Sequence, residues 1–245
     1  MSGHSKWSTI KNKKAKTDQQ RGKIFTKIGR EIAVAVKLGG PDPNNNSKLK
    51  DIIDKAKANN IPNDNIMRSI KKASGETDSV NYEELTYEGY GPNGVAIIIE
   101  TLTDNKNRTA GEIRHILDKS GGSLGTTGCV SWMFETKGQI IIEKSEVKDD
   151  EDSFIMVALE AGALDVLTDD EDVYEILTDP NELSAVKEAF INQGMNLAEA
   201  EVQMIPKNTV EITEEIEEKV QRLLDNLEDN DDVQNVFHNA ILEDE

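Results

Sequence analysis

QIIIE (139–143), DSFIMVALEA (152–161), LDVLT (164–168), VYEIL (173–177), ELSAVKEAFINQ (182–193) and AEAEVQMI (198–205) follow one another in the second half of this 245-residue chain. The first, third, fourth and last are short and rich in Ile, Val and Leu, which reads as strand. The second and fifth run longer without alternation, which reads as helix. An acidic turn separates the two central strands. The order is β-α-β-β-α-β, a ferredoxin-like unit.

On either side the pattern changes. Residues 82–90 alternate and end in Gly91-Pro92-Asn93-Gly94, a strong turn signal. Residues 95–102 form a buried-looking strand. Thr109 with Glu112 matches a capping box ahead of Ile113, Ile116 and Leu117. Residues 129–135 and 139–143 read as a hairpin turning at Lys137-Gly138. Downstream, Ile216, Val220, Leu223, Leu224 and Leu227 line an amphipathic helix over 214–227. A last strand over 233–242 has no neighbour in sequence, so it is expected to pair back into the middle of the protein.

The first 78 residues read as a helical segment whose residues 1–18 form a basic arm with little periodicity. Ile24, Phe25, Ile28, Ile32, Ala35 and Val36 share one helical face, with Lys23, Lys27, Arg30 and Lys37 opposite. Gly39-Gly40-Pro41 stops that helix. Ser47 is placed to cap a second helix carrying Leu49, Ile52, Ile53 and Ala56. Pro62 and Asn63 open a third with Ile66, Met67 and Ile70. Three short amphipathic helices bury their stripes only against each other, giving a small helical domain.

Charge divides the chain more sharply than hydrophobicity does. Of 28 Lys+Arg and 47 Asp+Glu, 17 cations and 6 acids lie at or before Lys72, a net of +11. The remainder carries 11 cations and 41 acids, a net of −30. Between Lys6 and Arg30 nine cations accompany one acid, Asp18. Lys6, Lys11, Lys13, Lys14, Lys16, Arg21, Lys23, Lys27 and Arg30 are of the type that neutralises phosphate, and Trp7 of the type that stacks on an unpaired base. A basic end on an acidic body points to nucleic acid, with contact confined to that end. The competing reading is an arm that is merely solvated, or that docks on the protein's own acidic body. Lys106, Arg108, Arg114 and Lys119, on or before the helix following Thr109, form a candidate second phosphate contact. Exposed helix charges are the plainer account of them.

Other chemistry is poorly supported. Cys129 is the only cysteine, so no internal disulfide is expected and a reducing cytoplasm fits. No apolar run approaches the roughly 20 residues that span a bilayer. No secretory signal is expected. A Cys129–His115 dyad is conceivable, but Cys129 sits in a strand pattern and reads as a small hydrophobe. Gly121-Gly122-x-x-Gly125-x-x-Gly128 lacks the Lys-Ser/Thr ending of a phosphate-binding loop. The two DDED runs, 149–152 and 169–172, read as a helix start and a hairpin tip, with no bound metal expected. No enzyme and no cofactor is expected.

Several blocks together carry a resemblance. Gly3-His4-Ser5-Lys6-Trp7-x-x-Ile10-Lys11, Arg21-Gly22-Lys23-Ile24-Phe25-Thr26-Lys27, Leu38-Gly39-Gly40-Pro41-Asp42-Pro43, Tyr87-Glu88-Gly89-Tyr90-Gly91-Pro92, Thr103-Asp104-Asn105-Lys106-Asn107-Arg108-Thr109 and Gly121-Gly122-Ser123-Leu124-Gly125 resemble the YebC/PmpR family, relatives of the mitochondrial translational activators. The likeness runs along essentially the whole chain. It implies an α+β protein of three domains, with an N-terminal three-helix domain and two α/β domains, the last inserted into the middle one. The expected boundaries are 1–78 for the helical domain, 79–136 with 207–245 for the middle domain, and 137–206 for the insertion. The family implies a DNA-binding transcriptional regulator. Other members look like translation factors acting on ribosomal RNA at the ribosome. A third reading, from the acidic domains, is a protein-interaction adaptor. Self-association is left open by the sequence.

Overall fold

The computed structural model describes residues 18–75 and 81–242. Helix α1 (Asp18–Gly39) packs against α2 (Ser47–Ala58) and α3 (Asn63–Ala73). The apolar stripes meet as expected: Ile28, Ile32, Ala35 and Val36 bury against Leu49, Ile52, Ala56, Ile66 and Ile70. The cap of α2 is Asn46, where the sequence reading gave Ser47. The buried Asn46 amide accepts from the Leu49 N–H (3.0 Å) and donates to the carbonyls of Ala35 and Gly40 (both 2.8 Å). One amide therefore satisfies three backbone groups at the α1–α2 corner, two of them carbonyls, which a hydroxyl with a single O–H cannot do.

The middle sheet contains β1 (Glu83–Tyr90), β2 (Ala96–Thr103), β3 (Ser123–Leu124) and β8 (Val233–His238), in the order β3-β1-β2-β8. Helices α4 (Lys106–Lys119) and α7 (Glu214–Glu228) contribute Ile113, Leu117, Val220, Leu223 and Leu227 to a core shared with Ile97, Ile99 and Val233. Strand β8 pairs antiparallel with β2, which gives the orphan strand of the sequence its partner. Every strand of the second sheet lies in sequence between β3 and β8, so that unit is an insertion. A small core of Ala96, Ile98, Val130, Phe134 and Phe237 covers the other face of the middle sheet.

The inserted unit contains β4 (Phe134–Glu143), α5 (Glu151–Glu160), β5 (Asp165–Leu167), β6 (Val173–Thr178), α6 (Leu183–Asn192) and β7 (Glu199–Pro206), with strand order β5-β6-β4-β7 and all pairs antiparallel. This is the ferredoxin-like arrangement read from the sequence. Phe154 stacks between Tyr174 (4.5 Å between ring centroids) and Phe190 (6.0 Å) at its core.

Two further local expectations fail. There is no hairpin at Lys137-Gly138; β4 runs unbroken through both residues, with Gly138 opposite Thr178 on one side and Val202 on the other. The glycine answers to packing, since a Cβ there would overlap Thr178 Oγ1 and meet Leu183 Cβ at 3.0 Å. Thr109 is not a cap either. Helix α4 begins at Lys106, capped by Asn105, and the fully buried Thr109 bonds inward.

Candidate nucleic-acid interface

Lys23, Lys27 and Arg30, spaced i, i+4 and i+7, lie on one face of α1. That face meets the turn after α7. Lys23 Nζ lies 2.9 Å from Asp229 Oδ1, and Lys27 donates to the Glu228 carbonyl at 2.7 Å. Arg30 donates to Asp232 Oδ1 (2.5 Å), the Asp231 carbonyl (2.8 Å) and the Leu102 carbonyl (3.2 Å). Cations at the carbonyl end of a helix are favoured by its dipole.

Asp232 is the hub of this clasp. It is 2% exposed, and its second oxygen accepts from Arg108 (2.7 Å), Thr109 (2.6 Å) and Thr103 (3.1 Å). Burial opposes the charged form. The hydrogen bonds from Arg108, Thr109 and Arg30 outweigh it and hold the carboxyl down to about 2. One carboxylate thus joins the helical unit, the start of α4 and the strand β8. Sequence reading missed it because Asp232 is one acid among many. Its signal was a threonine, Thr109, on the inward face of a helix.

The remaining candidates separate into three groups. Lys6, Trp7, Lys11, Lys13, Lys14 and Lys16 lie outside the described residues, and Arg21 falls on the first turn of α1. Arg108 is engaged by Asp232 and Asp104. Lys106, Arg114 and Lys119 are exposed along α4. A cationic face that the sequence reading did not single out lies on α3, where Arg68, Lys71 and Lys72 are exposed beside Met67. None of these three is ion-paired among the described residues. Most other cations of the helical unit are paired, Lys48 with Glu84, Lys57 with Asp54, and Lys55 with Glu31 and Glu201.

The alternative sites resolve into structural roles. The glycine-rich segment's glycine amides are already occupied: Gly121 donates to the Asp118 carbonyl (3.2 Å), Gly122 to that of Leu117 (2.9 Å), Gly125 to that of Glu88 (2.8 Å) and Gly128 to the Glu88 carboxylate (2.7 Å), which also accepts from Val130 and Ser131 (both 2.8 Å). Burial, together with the nearby Glu88 charge, pushes the Cys129 thiol up, away from the nucleophilic thiolate. Asp150 caps α5 by accepting from Ser153, and Asp170 turns the β5–β6 hairpin by accepting from Asp172 and Val173. Among the described residues no group of three or more His, Cys, Asp or Glu is placed to hold a metal. No helix of the described residues is long and apolar enough to cross a membrane.

Comparison with known proteins follows the same divisions. The family model described as the TACO1/YebC protein N-terminal domain matches residues 5–76, and that of the TACO1/YebC second and third domain matches 82–240. The chain belongs to the TACO1/YebC family. A TACO1/YebC relative from Acetivibrio thermocellus is 61% identical over 240 residues, covering 98% of both chains, and one from Thermoanaerobacter pseudethanolicus is 58% identical over 245 residues, covering 100% of this chain and 99% of the relative. Both are named probable transcriptional regulatory proteins. The crystal structure of a conserved hypothetical protein from Aquifex aeolicus is 46% identical, with a TM-score of 0.83 over 94% of each chain.

Proposed function

We propose that this TACO1/YebC protein is a non-enzymatic regulator of gene expression that binds nucleic acid with its basic N-terminal end. The observation that carries this reading is the segregation of charge, +11 through Lys72 and −30 beyond it. Lys23, Lys27 and Arg30 clasp the acidic turn and set the orientation of the helical unit. Phosphate contact then falls to Lys6, Lys11, Lys13, Lys14, Lys16 and Arg21, with Trp7 stacking, and to Arg68, Lys71 and Lys72 on α3. Lys106, Arg114 and Lys119 supply a secondary contact. The name shared by the relatives supports duplex DNA as the ligand. A second reading, a translation factor on ribosomal RNA, is supported by the α3 face, whose cations suit backbone and shape recognition better than base-edge reading.

The test compares the intact chain with one lacking residues 1–17, using fluorescence anisotropy with duplex DNA and with structured RNA. A loss of tenfold or more with an unchanged circular dichroism spectrum supports the reading, and undiminished binding of both probes refutes it. Cosedimentation with ribosomes at low and high salt separates the two ligands.

A further inference from the structure

The longest stretch beyond Lys72 without an Asp or Glu is 119–134, KSGGSLGTTGCVSWMF. A shorter acid-free stretch, 202–210, is VQMIPKNTV. The fold brings the two together: the Lys207 N–H donates to the Met133 carbonyl (2.8 Å), and Lys207 Nζ donates to the Trp132 carbonyl (3.1 Å). Two acid-free stretches therefore meet within a body of net −30, and Glu135, the acid that follows the first of them, is paired with Lys137.

Trp132 stands on this surface. At 62% exposure it is the most exposed large apolar side chain outside the helical unit among the described residues. Its indole N–H donates to the Cys129 carbonyl (3.0 Å), so the ring's one polar group is satisfied and its π faces are what it offers. The loop beneath is held firmly. Glu88 binds three of its amides, and the Tyr90 hydroxyl donates to the Cys129 carbonyl (3.1 Å). The exposed indole is fixed in place. Lys207 is exposed and has no acidic partner among the described residues.

We propose that Trp132 is a stacking platform for an unpaired nucleic-acid base, with Lys207 beside it meeting the adjoining phosphate. This rests on the nucleic-acid reading above and adds a second contact within the acidic body. A fixed aromatic face with a cation held at the same residue's carbonyl suits base stacking. The scarcity of acids in these two stretches lowers the repulsion that phosphate meets elsewhere on the body. A protein partner drawn to this body would be basic, and would be drawn to its acids instead of to the surface that lacks them.

The experiment uses the full-length chain carrying Trp7→Phe, which leaves Trp132 as its only indole. Titration with oligouridine is expected to quench Trp132 emission. Trp132→Ala is expected to weaken oligouridine binding about tenfold, with duplex DNA of equal charge affected less than about twofold. Lys207→Ala is expected to reduce the log-log salt slope for oligouridine by about 0.7. Because both side chains are exposed, both variants should keep the wild-type circular dichroism spectrum and Tm. If oligouridine binds by anisotropy without quenching, or Trp132→Ala binds it as tightly as wild type, the platform is refuted while the basic-end reading stands. If the intact chain binds neither RNA nor duplex, both are refuted.

Discussion

Asp232→Asn keeps the shape of the clasp's central side chain and removes its charge. The size of the effect follows from the site. The carboxyl is held at about 2 against an ordinary 3.8, close to two pH units, or about 2.5 kcal/mol in favour of the folded state. Removing one partner of a fully buried ion pair costs about 3–5 kcal/mol. Here Arg108 is 43% exposed and Arg30 16% exposed at the side chain, so water compensates part of the loss. The expected cost is about 2–3 kcal/mol at neutral pH, measured by urea denaturation followed by circular dichroism. The sign with pH is set by the depressed folded value. The stabilisation is complete above the ordinary carboxylate value and is lost as pH falls from about 3.8 towards about 2. Wild type should lose the increment across that window, and Asp232→Asn should have none to lose. A variant within about 0.5 kcal/mol of wild type at neutral pH, or one with the same acid profile, would refute the clasp.

Three further outcomes are expected. Gly138→Ala forces a Cβ onto Thr178 and Leu183 and should cost about 1–3 kcal/mol by overpacking; an unchanged Tm would contradict the reading of this glycine as a packing residue. Burial disfavours the Glu88 carboxylate, but three backbone donors outweigh it and hold its carboxyl below the ordinary range. Glu88→Gln should therefore destabilise by about 1–3 kcal/mol at neutral pH, with the gap to wild type closing as acid protonates Glu88; a gap that ignores pH would sink the assignment. Replacing Arg68, Lys71 and Lys72 together by Ala should reduce the salt slope of duplex binding by about 2–3 with Tm unchanged, and an unaltered slope would remove α3 from the interface.

The ferredoxin-like order was legible because each of its elements is short, apolar and separated from the next by a polar turn. The distant partner of β8 was legible for a different reason: an apolar strand with no neighbour in sequence must find one elsewhere. Local roles were harder to read. Gly138 and Thr109 are the residues a turn and a cap would use, and only the tertiary neighbours show that Gly138 admits Thr178 and that Thr109 reaches Asp232. The same limit applied to charge. The excess of cations in the first helix was plain. Their direction was not, since Arg30 meets a carboxylate 202 positions downstream.

The most direct test of the central claim is the dependence of duplex affinity on salt, measured for the intact chain and for the chain lacking residues 1–17. A log-log slope of about −8, the value for about nine neutralised phosphates, six on the arm and first turn of α1 and three on α3, is predicted for the intact chain, falling by more than half on truncation as Lys6, Lys11, Lys13, Lys14 and Lys16 are lost. An affinity of the intact chain that ignores salt, or a slope that truncation leaves unchanged, would contradict it.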